Sequence, residues 1–211
     1  MFYEDNHDNA LRFGDVVNGY VLSNSHIEKP FSTSNNFKYN INIEMPSLSV
    51  ILTPCCSIEE NNIVLSPLIE LRSSFFSNPY FIEDLTNINR RMPPEKTLPP
   101  EVWENLPGME KQKRLLEGET YSVPNLFVYE SNALFPKYTI NRKGKNNNIE
   151  TNVHMIDFKN IYKVDCDKII TPQNSPLYSK CLQLSIKTRS ELRDKLSSFY
   201  RRVPKEDLCD L

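Results

Sequence analysis

Leu48-Ser-Val-Ile-Leu-Thr-Pro-Cys-Cys-Ser57 and Asn62-Ile-Val-Leu-Ser-Pro-Leu-Ile-Glu-Leu71 are two short apolar runs joined by a polar, acidic connection. Each has the length of a strand, and β-branched residues bounded by polar clusters favour extended pairing over a helix. Upstream, Phe13-Gly-Asp-Val-Val17 opens a further β-rich segment that extends to Leu22. Phe37-Lys-Tyr-Asn-Ile-Asn-Ile-Glu44 alternates strictly, with Phe37, Tyr39, Ile41 and Ile43 on one side and polar residues on the other, the pattern of a half-buried strand. Together these segments predict a compact β-meander over the first seventy residues.

The character then changes. Met92-Pro-Pro-Glu-Lys-Thr-Leu-Pro-Pro100 holds four prolines, each without a backbone donor, and is expected to be irregular. Pro100-Glu-Val-Trp-Glu-Asn105 and Gly108-Met-Glu-Lys-Gln-Lys-Arg-Leu-Leu-Glu117 are rich in helix formers, and Gly118 supplies a stop. Strand patterns return at Asn125–Glu130, Asn152–Phe158, Ile161–Cys166 and Leu182–Ile186. The basic, asparagine-rich Asn141-Arg-Lys-Gly-Lys-Asn-Asn-Asn148 reads as an exposed hairpin loop. Thr188-Arg-Ser-Glu191 has the form of a capping box, and Leu192, Leu196, Phe199 and Tyr200 make an apolar stripe ahead of Pro204.

Composition narrows the function classes. The chain has 211 residues, of which 39% are hydrophobic and 25% charged, enough to bury a substantial core as one domain. Its net charge of −2 provides no global field for nucleic acid or an anionic membrane, so such contact needs a local patch. The polar, acidic amino terminus lacks the features of a secretory signal, and no apolar run approaches the roughly 18 residues of a membrane span. The expectation is a cytoplasmic protein without a membrane partner. The five cysteines are odd in number and dispersed apart from Cys55-Cys56, and are read as reduced thiols.

The candidates for chemistry are few. With five glycines, the chain has no phosphate loop, nucleophile elbow or zincin motif, and no cofactor is expected. No zinc-ligand spacing occurs, so no metal is expected either. Cys55 and Cys56, placed after a strand and a proline, could serve a thiol-dependent enzyme, but the burial habit of free cysteine favours a structural role. His154, in the apolar Val153-His-Met-Ile156, is expected as a hydrogen-bonded core residue rather than a general base. Of the basic groups, Arg142, Lys143 and Lys145 form the best patch for phosphates. The charges at Lys187, Arg189, Arg193, Arg201 and Arg202 read as the solvated face of a helix.

Three words of the amino-terminal part resemble the PemK/MazF family of bacterial SH3-like barrels: Gly14-Asp-Val-Val17, Met45-Pro-Ser-Leu48 leading into Val50-Ile-Leu-Thr53, and Ile63-Val-Leu-Ser-Pro-Leu68. The resemblance spans residues 13–71. It implies an SH3-like β-barrel and, in the family, RNA cleavage by an arginine and a threonine or serine. Met45 and Ile69 stand at those two positions here, so Thr53, Ser66 or Arg72 would have to replace them. The chain also resembles a group of uncharacterised bacterial proteins with Gly-Asp-Val-Val near the start, a Leu-Thr-x-x-Cys-Asp-like segment (here Leu52 to Ile58) and a terminal helix leading into Arg-Val-Pro (Arg202 to Pro204). These resemblances associate it with toxin–antitoxin and phage-defence systems.

The expectation is therefore a mainly β (α+β) single domain over residues 1–211. It comprises an SH3-like barrel from 13–71 and 125–186, a proline-rich helical insertion at 72–124 and an amphipathic helix at 188–203. The expected function is a non-catalytic binding or adaptor subunit that engages a protein partner in a bacterial toxin or phage-defence system. The alternative is a diverged PemK/MazF-like endoribonuclease or RNA-binding protein.

Overall fold

The computed structural model describes residues 1–18, 21–27, 39–58, 62–72, 75, 88–89, 96–98, 100–121, 123–141, 148–165 and 180–201. The described chain is mainly β, and among the described residues no helix is long and apolar enough to cross a membrane. Along the sequence run β1 (Val16–Asn18), β2 (Leu22–Ile27), β3 (Tyr39–Glu44), β4 (Leu48–Ile51), β5 (Asn62–Pro67), β6 (Ile69–Glu70) and β7 (Thr97–Leu98). There follow helices α1 (Pro100–Glu104) and α2 (Gly108–Leu116), then β8 (Thr120–Tyr121), β9 (Leu126–Tyr129), β10 (Tyr138–Asn141) and β11 (Asn148–Thr151). The remainder is β12 (His154–Asp157), β13 (Tyr162–Asp165), β14 (Lys180–Leu182) and α3 (Ile186–Tyr200). The chain divides into two compact units, one of Met1–Ile69 with Asn160–Ser185, the other of Glu70–Lys159 with Ile186–Leu211.

The first unit is built on a five-stranded sheet ordered β13-β5-β4-β1-β14, every pair antiparallel. This order is open: no sheet of the described residues closes into a barrel. It also corrects the expected meander, since β1 pairs with β4 while β2 and β3 leave the sheet as a separate hairpin. Leu22, at the root of the hairpin, joins Val17, Ile51, Ile63, Leu65, Tyr162 and Val164 in the core, whereas Ile43 is 64% exposed. The expected burial of the β3 apolar face therefore fails at Ile43, while Phe37 and Lys38 lie outside the described residues. Tyr162 bonds Glu44, and burial raises its phenol to about 12.

A buried charge cluster ties the amino-terminal segment to this sheet. The Lys180 ammonium lies 2.9 Å from Asp15 Oδ2 and 3.1 Å from Asp8 Oδ1, and it also donates to Gln183 Oε1 at 2.6 Å and the Ala10 carbonyl at 2.8 Å. Asp15 is fully buried and also accepts from the Arg12 amide at 2.8 Å. That turn passes through Gly14 at φ 85°, a conformation costly for a residue with a Cβ. Asp8 is held well below the usual carboxylate range, mainly by its bond from Arg12 and further by Lys180.

In the second unit, β6, β12 and β9 form a three-stranded sheet. All four residues of β9 and all four of β12 are buried. The free side of β9 is satisfied by a side chain: Asn89 donates to the Val128 carbonyl and accepts from the Val128 amide, both at 2.6 Å, as a neighbouring strand would. The hairpin predicted around residues 141–148 is present as β10 and β11, paired from Tyr138↔Thr151 to Asn141↔Asn148. Thr97 and Leu98 pair in parallel with Thr120 and Tyr121, so the proline-rich stretch is not wholly irregular; β7 lies among its consecutive residues that keep a backbone donor, just ahead of Pro99. The fully buried Trp103 of α1 packs on Tyr121 with ring centroids 5.8 Å apart. Gly118 sits at φ 75° beyond α2, the expected stop.

Two expectations for the carboxy-terminal part are corrected. Residues 180–182, not 182–186, form the strand, and α3 begins at Ile186, which places Thr188 two residues inside the helix instead of at its cap. Thr188, Leu192 and Lys195 are its buried residues, Leu196 and Phe199 are half-buried, and Tyr200 is exposed. Phe199 meets Phe158 with centroids 5.7 Å apart. Lys195 stands three residues after Leu192 and so shares its stripe, and among the described residues its ammonium nitrogen has no hydrogen-bond partner. Burial lowers its pKa from 10.5 to about 7.

These two lysines predict opposite behaviour. Lys180→Met leaves the Asp15 carboxylate buried without its cation and is expected to destabilise by ~3 kcal/mol, part of which returns when Asp15→Asn is added. Lys195 is neutral in the folded protein and charged in the unfolded chain between pH 7 and 10.5, so its contribution to stability rises with pH across that window. Lys195→Met is expected to stabilise by ~2 kcal/mol at pH 7 and to flatten that rise. Urea midpoints of the variants at pH 7, 8 and 9 check both.

Candidate functional site

In the first unit the candidate residues follow β4 and line β5. Thr53 continues the β4–β5 ladder past the end of β4: its buried hydroxyl oxygen accepts from the Val64 amide at 2.6 Å, next to the Leu52 amide on the Val64 carbonyl at 2.9 Å. Ser66 is fully buried and donates to the Asn160 carbonyl at 3.0 Å. Neither oxygen is presented to solvent. A ribonuclease acting through them would have to break a buried structural bond to free its nucleophile or proton carrier.

Beyond Thr53, Pro54 leads into a single 3-10 turn, Cys55–Ser57, closed by the Ser57 amide on the Pro54 carbonyl at 2.8 Å. Both Cys55 and Cys56 are exposed, which corrects the expectation of burial. The turn itself has no buried residue, so the alternation that would have carried one cysteine inward ends with the strand. Cys56 Sγ lies 3.8 Å from Ser57 Oγ. No histidine joins the thiols in the described interactions.

The second unit gathers other titratable groups around β12. His154 is buried, its Nδ1 3.0 Å from the Asn152 carbonyl, which fixes the proton on Nδ1 because a carbonyl only accepts. Phe135 and Tyr138 meet its ring edge-on, each with a centroid separation of 5.3 Å. Burial lowers the His154 pKa, against smaller opposing effects of the Asn152 bond and the Glu70 charge. This is the hydrogen-bonded core histidine that the sequence predicts. The Tyr138 hydroxyl donates to the Val153 carbonyl at 2.5 Å and accepts from the Leu71 amide at 2.8 Å, joining β6 to the chain ahead of β12; burial raises it to about 12.

Arg72 donates to Asp157 Oδ2 at 3.1 Å. The other carboxylate oxygen accepts from Asn125 Nδ2 at 2.8 Å and the Lys159 amide at 3.0 Å, so Asp157 serves as the hub that fixes the turn after β12. Since His154 and Asp157 are three apart on a strand, their side chains leave opposite faces of the sheet, and the two groups form no common site. Arg142, Lys143 and Lys145 lie outside the described residues. Among the described residues, no group of three or more His, Cys, Asp or Glu is placed to hold a metal ion.

Sequence reasoning missed Tyr138, Asp157, Lys180 and Lys195. For Lys195 the signal was present in its spacing from Leu192; for the others the partners are too remote in sequence, 172 residues between Lys180 and Asp8, for a local pattern to mark them. In the native protein the exposed Cys55 and Cys56 are expected to alkylate at least tenfold faster than Cys181, which is half-buried with its thiol pKa raised by burial; peptide mapping of timed maleimide labelling reads this out. In comparisons with known proteins, no family model, no curated protein and no solved structure matches the chain.

Proposed function

We propose that the protein is a non-catalytic binding module, on an SH3-like scaffold opened into a five-stranded sheet, that engages a protein partner in a bacterial toxin or phage-defence system. The observation that carries this reading is the commitment of the oxygen and arginine groups on which RNA cleavage would depend. Thr53 completes a strand ladder, Ser66 bonds the Asn160 carbonyl and Arg72, on the surface, pairs with the buried Asp157. Cleavage of RNA needs a free proton acceptor beside the attacking hydroxyl and a cation directed at the developing charge. The SH3-like and defence-system parts of the proposal rest on Gly14-Asp-Val-Val17 and the words that follow it in the sequence.

The test is incubation of the purified protein with total bacterial RNA at low and moderate salt, following retention and fragment length together. The expected result is unchanged fragment length and no retention that falls steeply with salt. Fragmentation that persists through purification and is lost in Thr53→Ala, Ser66→Ala or Arg72→Ala would replace this reading with the diverged ribonuclease.

A further inference from the structure

The turn that follows β4 carries two thiols side by side on the surface, against the habit of free cysteine, which is among the most buried residue types. Its chain is fastened at both ends. Thr53, just before Pro54, accepts from the Val64 amide at 2.6 Å, and the half-buried Ile58 packs against the core of the first unit. Between these anchors Pro54, Cys55, Cys56 and Ser57 are all exposed, and the Ser57 amide closes the turn on the Pro54 carbonyl at 2.8 Å. The Ser57 hydroxyl, 3.8 Å from Cys56 Sγ, makes only a weak contact, since sulfur is a poor donor and a poor acceptor.

We propose that Cys55 and Cys56 together bind one monovalent, sulfur-seeking metal ion, copper(I), in two-coordinate form. This goes beyond the binding reading above and does not depend on it. Soft thiolates select soft ions, copper(I) among them. The number of ligands then decides: among the described residues no third His, Cys, Asp or Glu completes a group with this pair, so zinc would lack half of its four-coordinate shell, whereas copper(I) is satisfied by two sulfurs. The ligand spacing whose absence argues against zinc in the sequence does not bear on an ion that needs only two ligands. Geometry also favours an ion over a direct bond between the sulfurs. Consecutive Cα atoms across a trans peptide stand about 3.8 Å apart, short of the roughly 4.4–6.8 Å of bridged cysteines, so a disulfide here would strain the turn. An interposed ion with two metal–sulfur bonds of about 2.3 Å lets the sulfurs stand as much as ~4.6 Å apart, which relieves that constraint. Because the turn is anchored at both ends, the second thiol meets an ion already held by the first at high effective concentration. Binding displaces both thiol protons, so that two thiols and one copper(I) give a bis-thiolate complex of charge −1 and two protons, with no electron transferred.

The experiment titrates the full chain, free of oxygen and of added thiols, into copper(I) held by a chromogenic chelator and follows withdrawal of the metal. The expected result is one copper(I) per chain, bound at least a hundredfold more tightly than by Cys55→Ser or Cys56→Ser, because loss of either thiol leaves a single point of attachment. Cys181→Ser should bind as the wild type does, X-ray absorption should show two sulfur neighbours, and affinity should rise with pH as protons are released. Loaded wild-type protein should lose maleimide labelling at Cys55 and Cys56 and keep it at Cys181, a pattern that tests the site without any variant. Both serine substitutions fall at exposed positions, so far-UV dichroism and thermal midpoints should equal the wild type's. No withdrawal from the chelator, binding that survives either single substitution, or labelling of Cys55 and Cys56 that ignores the metal overturns the site. So does a metal shell of three or four neighbours, and so does a stoichiometry that falls equally whichever cysteine is removed, which would mean an adventitious ion only.

Discussion

An ammonium and a carboxylate held 2.9 Å apart, Lys180 and Asp15, fix the geometry of the first unit. Both side chains are shut away from water, so each is tolerable only in the presence of the other. Because Asp15 immediately precedes β1 and Lys180 opens β14, the pair sets the edge of the sheet where the two strands meet. The same nitrogen reaches the Ala10 carbonyl and Asp8, which brings the amino-terminal segment over that edge, and the Tyr3–Leu184 bridge continues the attachment. The Gly-Asp word near the start of the chain thus has an architectural meaning: glycine allows the turn, and aspartate receives a lysine from the far end of the unit.

Much of the local structure was legible because it rests on nearest-neighbour chemistry. The apolar runs at β4, β5, β9, β12 and β13 became strands, and Gly118 ended α2 where its freedom at positive φ predicts. Pairing was not legible. Nothing local in Val16-Val17 distinguishes β4 as its partner from the nearer β2, because that choice is decided by which residues together fill the core. The start of α3 was misplaced for a related reason: Thr188 and Glu191 have the composition of a cap, but the helix begins at Ile186 and Thr188 is one of its buried residues.

The candidate site was legible in its residue types and illegible in their use. Thr53 and Ser66 lie where extended chain brings hydroxyls beside backbone groups, and a buried hydroxyl takes the nearest donor or acceptor available. Cys55 and Cys56 reached the surface because the strand stops at Ile51, a boundary that hydrophobicity through Leu52 obscures. Helix α2 presents the converse case, in which the ion pairs of Arg114 with Glu110 and Glu119, rather than apolar burial, secure its inner side.

The strand order β13-β5-β4-β1-β14 also governs how the first unit comes into being. Both outer strands are drawn from residues beyond 160, whereas the three they flank lie within the first 67. During synthesis at roughly 5–20 residues per second, the inner strands leave the ribosome several seconds before the outer ones exist. Through that interval the edges of β1 and β5 have no strand to pair with and Asp15 has no lysine, and pairing must wait for long loops to close, the longer of them between β1 and β14. The nascent chain is consequently most vulnerable to mispairing just before its last third emerges, a period in which a chaperone that shields extended apolar segments would have the greatest effect on yield.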